Sequence, residues 1–526
     1  MTNESVVSDQ ATEIVKKPKT EKKENLKQRA YLNSLSSIID FAGAQITGFI
    51  TNPFIVNGLG TAMYGIWQML GQMTGYTKMA DSRASQVLKW TVANKRHVVT
   101  DEELRNDTST ALIVILITMP ITLILGSIIS WYAPFVAKVP EKYYSLIRIT
   151  SSILFLSLIL NRFFDLFEGI LSGMNLGYKR MGLRAGIVAF AGAIKIAVIL
   201  LGFGLIGLSA VQVLVSVIIG CSFYFIVKKH VPWFGFGKVK RSNIKSFGKV
   251  SWWFMVFTTV KMVMVNSDKI ILGYFVGPVL VAKYALTMFT SSTIQGAAVA
   301  VISGITPGIC SLLGKGEFDK VSRARKVVMS FIWLMTVSVG VTILMLNKSF
   351  IFLWVGKDKY AGNFENLLIL LITVQFIFFQ LDSSIINIGL NKKKKAALSI
   401  GATLVTLLLS VILVRKYEIT GLCISMLVGR LVFTFGFPLL LRKQTHSTTP
   451  FFAFDFMYPF AISSLLFLVA TWVGGMLHVK GWLFLVTYGT LIFLGSGMIF
   501  WYLGIKRSDR KEVMGVLTNV KLLKMN

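Results

Sequence analysis

Acidic side chains are scarce in this chain: 24 Asp and Glu stand against 55 Lys and Arg in 526 residues, a net charge of +31. In a soluble protein that excess would point to nucleic acid. Charge of either sign is also scarce, at 15% of residues against 54% hydrophobic, and the mean hydropathy is +0.67, far more apolar than a soluble domain. The chain is therefore an integral membrane protein, and its basic residues belong to loops rather than to a nucleic-acid surface. Cysteine is rare. Cys221, Cys310 and Cys423 are odd in number, far apart and within apolar segments, which argues against a disulfide framework or a zinc site. Four histidines (His97, His230, His446, His478) fall in predicted loops without ligand spacing, so no metal site is expected. A secretory signal is also missing, because the first thirty residues are polar and read as a mobile cytoplasmic tail. There is no P-loop, HExxH or DxD motif. "GFGLIG" (202–207) matches GxGxxG but has no preceding strand, so no dinucleotide or other cofactor is expected.

What is present is a series of apolar runs, each long enough to cross a bilayer at about 20 residues. They lie near 32–56, 62–88, 109–132, 146–172, 182–203, 207–227, 250–275, 280–309, 327–347, 363–390, 396–414, 419–440, 452–476 and 482–505, which predicts fourteen transmembrane helices. The loops alternate in charge as this count requires. On one side lie the N-terminal tail, Lys95-Arg96, Lys179-Arg180, 228–245, 315–326, Lys392 to Lys395, Arg442-Lys443 and 506–511; on the other lie turns such as "NGLGTA" and "VGPVLV" without Lys or Arg. The positive-inside rule then places both termini in the cytoplasm and the chain in the cytoplasmic (inner) membrane, its basic loops against anionic lipid. The Thr100/Glu103 capping box in "TDEEL" predicts a short surface helix in the second cytoplasmic loop.

Loop signatures recur at offsets of 214 to 217: Gly60 with Gly277, Asp101 with Glu317, Gly173 with Gly389 and Gly207 with Gly421. The unit holds six helices, an even number, so the two copies share one topology, as in parallel-repeat transporters. The expected organisation is a tail (1–30), a six-helix bundle (31–227), a basic linker (228–249), a second six-helix bundle (250–442), and two extra helices with a tail (443–526). Substrate is expected between the bundles near mid-bilayer, moved by alternating access.

A charge at mid-bilayer costs at least about 2.5 to 3.5 kcal/mol, so embedded charges mark function or pairing. Arg148, Lys269 and Lys283 lie near span ends and can snorkel. Arg162, Lys195, Lys261 and Arg430 lie near the middle of their spans and are the candidate cavity cations. Embedded acids are Asp40, Asp165, Glu168, Asp268 and Asp382, candidates for ion pairing or for ion coupling. Arg162, Asp165 and Glu168 share one helix, where an internal ion pair is the plain alternative to a site, and Asp382 is expected to pair with Arg430. Lys195 and Lys261 have no acid within one helical turn, and Asp268 is two turns from Lys261. A lone mid-membrane lysine needs a wet cavity or an anion, and an ammonium suits a phosphate-bearing lipid headgroup.

The stretch "NSDKIILGYFVGPVLVAKYAL" resembles the seventh and eighth helices of Wzx-type oligosaccharide-lipid flippases, members of the multidrug/oligosaccharidyl-lipid/polysaccharide (MOP) exporter superfamily. "NPFIVNGLGTAMYGIWQML" resembles their first two helices and "GLIGLSA" their fifth-to-sixth turn, and the diffuse likeness covers residues 32–505. It implies a V-shaped, MATE-like pair of six-helix lobes with two extra helices. It also implies flipping of a polyprenyl-pyrophosphate-linked glycan for O-antigen or capsular polysaccharide, a transporter rather than an enzyme, H+ or Na+ coupling, and a polysaccharide polymerase as partner. "MADSRASQVLKW" departs from many relatives by placing Ser82 and Arg83 after Asp81. A multidrug exporter of the same superfamily and a major-facilitator transporter are the alternatives. The second is disfavoured because "GYTKMADSRASQ" supplies little of the loop signature of that class.

Overall fold

The computed structural model describes residues 23–95, 98–180, 182–388, 392–445, 454–507, 510 and 514; His97, His446 and the side chains of Lys261 and Cys310 lie outside the described ones. Among the described residues every regular element is helical. The first part of the chain forms α1 (Lys23–Leu59), α2 (Thr61–Gly75), α3 (Ala84–Lys95), α4 (Asp101–Val136), α5 (Tyr144–Gly173), α6 (Leu183–Leu200) and α7 (Gly204–His230). The second forms α8 (Arg241–Asn266), α9 (Asp268–Phe275), α10 (Pro278–Gly314), α11 (Phe318–Trp354), α12 (Asn363–Ile388) and α13 (Lys392–Thr445), followed by α14 (Phe454–Met476) and α15 (Trp482–Leu503).

Among the described residues, ten helical stretches are long and apolar enough to cross a membrane. One of them lies in α13, which leaves helical geometry at Glu418 (φ 49°, ψ −125°) and so carries the expected spans 396–414 and 419–440. Spans 32–56, 62–88 and 250–275 fall on α1, on α2 with its 3-10 continuation Tyr76–Ala80, and on the α8–α9 pair. Each expected span therefore coincides with a helix. The second span stops early: Asp81 Oδ1 accepts a hydrogen bond from Arg83 N at 3.0 Å, Arg83 takes φ 51°, and residues 84–88 belong to the short helix α3. Thr100 Oγ1 accepts from Glu103 N at 3.4 Å, but the helix it caps is the long span α4, not a separate surface helix; the short helix of this region is α3. α1 begins at Lys23, so residues 23–30 of the expected tail are helical. Of the expected linker, 228–230 end α7 and 241–249 begin α8. The extended part is pinned by buried Trp233, whose carbonyl accepts from Arg105 Nε at 2.8 Å.

Positions matched by the sequence repeat do matching work. Gly60 (φ 78°) and Gly277 (φ 116°) both turn the chain into the next helix with a backbone that favours glycine. Tyr64 and Tyr284, which follow these turns, are both fully buried. Asp101 opens α4 and Glu317 immediately precedes α11, so this matched pair lies at the start of corresponding helices, one residue out of register. The bundles meet where α2 crosses α10, and there Gly65 lies against the Pro278 carbonyl with no room for a Cβ.

Gly65→Ala should therefore destabilise the protein by about 1 to 3 kcal/mol through overpacking, read as a lower thermal unfolding midpoint of purified protein. Gly71→Ala on the same helix, where a Cβ meets nothing within 4 Å, should leave the midpoint unchanged.

Candidate substrate path and its embedded charges

One face of α2 reads Gln68, Gln72, Tyr76, a polar residue at each i+4 position, and this stripe meets the break between α8 and α9. Lys269 Nζ donates to Gln68 Oε1 at 2.8 Å, Lys269 N donates to Gln72 Oε1 at 3.2 Å, and the Tyr76 and Ser267 hydroxyls lie 2.6 Å apart. Below them Arg83 Nε donates to Thr258 Oγ1 at 3.2 Å. Gln45 of α1 adds an acceptor for Thr293 Oγ1 of α10 at 3.0 Å. Lys269 thus does not snorkel to an interface; it ties the second bundle to the first. Hydrogen bonds between membrane helices average about 0.6 kcal/mol and reach about 1.7 kcal/mol. The ladder is strong enough to register the bundles and weak enough to part.

Within the first bundle a polar cavity of about 250 Å3 is enclosed by the 3-10 end of α2, α5, α6 and α7. Lys78, Asp81, Arg162, Asp165 and Arg184 bring charge to it, and Asn161 and Ser216 are joined across it at 3.0 Å. Arg162 is fixed at the cavity wall because its guanidinium donates to Thr122 Oγ1 of α4 and to the Thr77 carbonyl at 3.1 Å. Nearer the basic end of the bundle, Glu168 is 2.8 Å from Arg180 and 3.7 Å from Arg184, within electrostatic reach of Asp40 on α1.

In the second bundle Asp268, just past the α8–α9 junction, faces inward, where it is 9% exposed and accepts from the Tyr284 hydroxyl at 3.2 Å. Arg430, 8% exposed, lies in the field of Asp268 and Tyr284 and donates to the Ile372 carbonyl at 3.4 Å. Asp382 is held elsewhere, by a bidentate pair with Arg325 Nε at 2.6 Å and Nη2 at 2.7 Å.

Two expected pairings are therefore corrected. Asp382 pairs with Arg325, not Arg430: Arg325 sits two turns inside α11, although the sequence places it in a basic loop, and Arg430 shares a field with Asp268 instead. Arg162 forms no ion pair within 4.0 Å among the described residues, and Glu168 reaches across a turn to Arg180 and Arg184 instead of along its own helix. The four candidate cations do not converge on one cavity. Arg162 lines the first-bundle cavity and Arg430 is buried in the second bundle. Lys195 is half-buried on the side of α6 that faces α1, between Gly192 against Thr47 and Ile199 against Gly58, with no partner among the described residues. The side chain of Lys261 lies outside the described ones. A search for charge overlooks Gln68, Gln72, Tyr76 and Gln45; the signal in the sequence is their polarity at helical spacing within apolar runs.

This helical arrangement is similar to that of solved multi-pass transporters. It matches an inward-facing multidrug resistance MATE family transporter of the MOP superfamily at TM-score 0.63 and 15% identity, covering 78% of this chain and 100% of that one. An outward-facing MATE family transporter matches at TM-score 0.55 and 18% identity, over 80% and 96% of the two chains. A Vibrio cholerae MATE transporter matches at TM-score 0.54 and 13% identity, over 81% and 98%. Residues 33–312, more than half of the chain, match the family described as polysaccharide biosynthesis protein, and the chain belongs to that family. No curated protein sequence matches it.

Asp382→Ala should strand Arg325 in the second bundle and destabilise the protein by about 3 to 5 kcal/mol. The double variant Asp382→Leu/Arg325→Met should regain most of that loss. Thermal unfolding of the purified proteins checks both, and an unrecovered double variant would show that the pair does more than satisfy charge.

Proposed function

We propose that this protein flips a polyprenyl-pyrophosphate-linked oligosaccharide from the inner to the outer leaflet for cell-surface polysaccharide synthesis, with its basic face and both termini in the cytoplasm. The observation that carries the reading is the pairing of a polysaccharide-biosynthesis family with a transporter fold. A glycan assembled on a lipid carrier must cross hydrocarbon that its hydroxyls and phosphates cannot enter unaided, which is a task for such a fold. Alternating access would open the ladder between α2 and α8–α9, whose hydrogen bonds, that of the Lys269 ammonium among them, can be exchanged for water or for sugar hydroxyls. Lys195 and Lys261 are assigned to the pyrophosphate, a point-charge match. Lys195 supports that role by lying half-buried on α6 without a partner among the described residues. Coupling to H+ or Na+ would act on the carboxylates Asp81 and Asp165 in the first-bundle cavity. The MATE likeness also supports a second reading, export of a small amphipathic molecule by the same motion.

Leaflet-resolved labelling of the lipid-linked glycan separates the two. Deletion of the protein should trap the glycan in the inner leaflet, and unchanged leaflet distribution would refute the flippase reading. At equal protein levels Lys195→Ala and Lys261→Ala should each lower flipping at least about ten-fold, the loss of one charge-assisted contact. Normal flipping by both would rule out the phosphate assignment alone.

A further inference from the structure

One turn past Gln45, on the same face of α1, the seam between the bundles changes from amides to rings. Phe49 enters a box of aromatics supplied by the second bundle and by α15. Its ring stacks on Trp354 of α11 with centroids 5.9 Å and planes 5° apart, and lies 6.1 Å from Phe350, one turn earlier on that helix. Trp482, the first residue of α15, meets Phe49 edge-on at 5.8 Å and Phe350 edge-on at 6.1 Å. Phe289 of α10 backs Trp354 at 4.6 Å. A single hydrogen bond is set into the box: Trp354 Nε1 donates to the Phe49 carbonyl at 2.7 Å, and Trp354 is 6% exposed. Five rings thus come together from four helices, and one of them, Phe49, belongs to the first bundle. Because α14 and α15 pack on α11, they ride with the second bundle, and Trp482 extends their contact to the first.

From this arrangement we infer that Phe49 and its box are a latch holding the two bundles together at the end away from the basic loops. Trp482 makes α15 the brace of that latch, so the two helices outside the six-helix repeats set how readily the seam opens there. The inference rests on the alternating-access motion proposed above and not on the cargo. Aromatic residues at an interface ordinarily serve as separate anchors among the headgroups. These rings instead pack on one another in the offset and edge-to-face geometries that give aromatic pairs their extra attraction. Lipid tails are as apolar as the box, so the hydrophobic effect does not resist its parting. What parting loses is the ring geometry and the partner of the Trp354 N–H, which hydrocarbon cannot replace. Such a contact biases the seam toward closure without locking it.

The test is the separation of two spin labels, measured by double electron–electron resonance on the full-length protein in lipid nanodiscs. One label sits on Leu201→Cys at the end of α6 and the other on Phe364→Cys at the start of α12, positions 72% and 54% exposed on opposite bundles. Cys221 and Cys310 are replaced by Ala, and the fully buried Cys423 is left in place. Trp482→Ala and Phe49→Leu should each raise the share of molecules at the longer separation at least about five-fold. Trp354→Phe, which keeps a ring but loses the N–H, should give a smaller rise. Trp472→Ala, 66% exposed on α14 and outside the box, should leave the distribution unchanged. Gln68→Ala/Gln72→Ala, which loosens the polar ladder, reports whether the bundles separate at all. A shift in that variant with none in Trp482→Ala or Phe49→Leu would overturn the latch and leave the motion standing, as would an equal shift in Trp472→Ala. No shift in any variant would refute the motion itself, and the latch with it.

Discussion

An ionised side chain in hydrocarbon has to be answered by something, and the architecture of this protein can be read from how each embedded charge is answered. Asp382 is answered by the paired donors of Arg325, Glu168 by Arg180 and Arg184, and Asp268 by a tyrosine hydroxyl and the field of Arg430. Each of these arrangements lies within one bundle. Between the bundles the connections are of another kind: side-chain amides, hydroxyls, one lysine and one arginine bonded to neutral partners. Breaking a buried ion pair costs several kcal/mol, whereas breaking a neutral bond between membrane helices costs well under two, and the charge-assisted bonds of Lys269 and Arg83 lie between these. The division of strengths therefore makes each bundle a rigid unit and the seam between them the part that can yield.

The fold was legible in the sequence because its two strongest signals are additive over many residues. Apolar run length and loop charge each average over whole segments, so single misplacements such as the early end of the second span at Ala80 do not disturb the all-helical membrane fold. Glycine turns were legible for a sharper reason, since Gly60 and Gly277 need a backbone that other residues rarely adopt. Charge partners were not legible. Spacing reveals only neighbours on the same helix, but Asp382 finds Arg325 on another one, and Arg162 is bound by Thr122 and the Thr77 carbonyl, groups without charge. Arg325 itself was hidden by its setting in a basic run, where helix start and loop end look alike.

The Asp268-Lys269 step joins these two levels. Adjacent residues on a helix point about 100° apart. Asp268 turns into the second bundle toward Tyr284, and Lys269 turns out to Gln68 of the first. Adjacent residues of opposite charge therefore serve opposite purposes, one anchoring the helix to its own bundle and the other reaching the partner bundle. Were the bundles to part, Lys269 would lose its amide partner while Asp268 would stay bound by the core of the second bundle, so the seam would open with a cation newly exposed on its second-bundle wall. A bare ammonium in a newly opened passage attracts phosphate or water, whichever is nearer. The same lysine that holds the closed state would thus favour an anionic occupant in the open one.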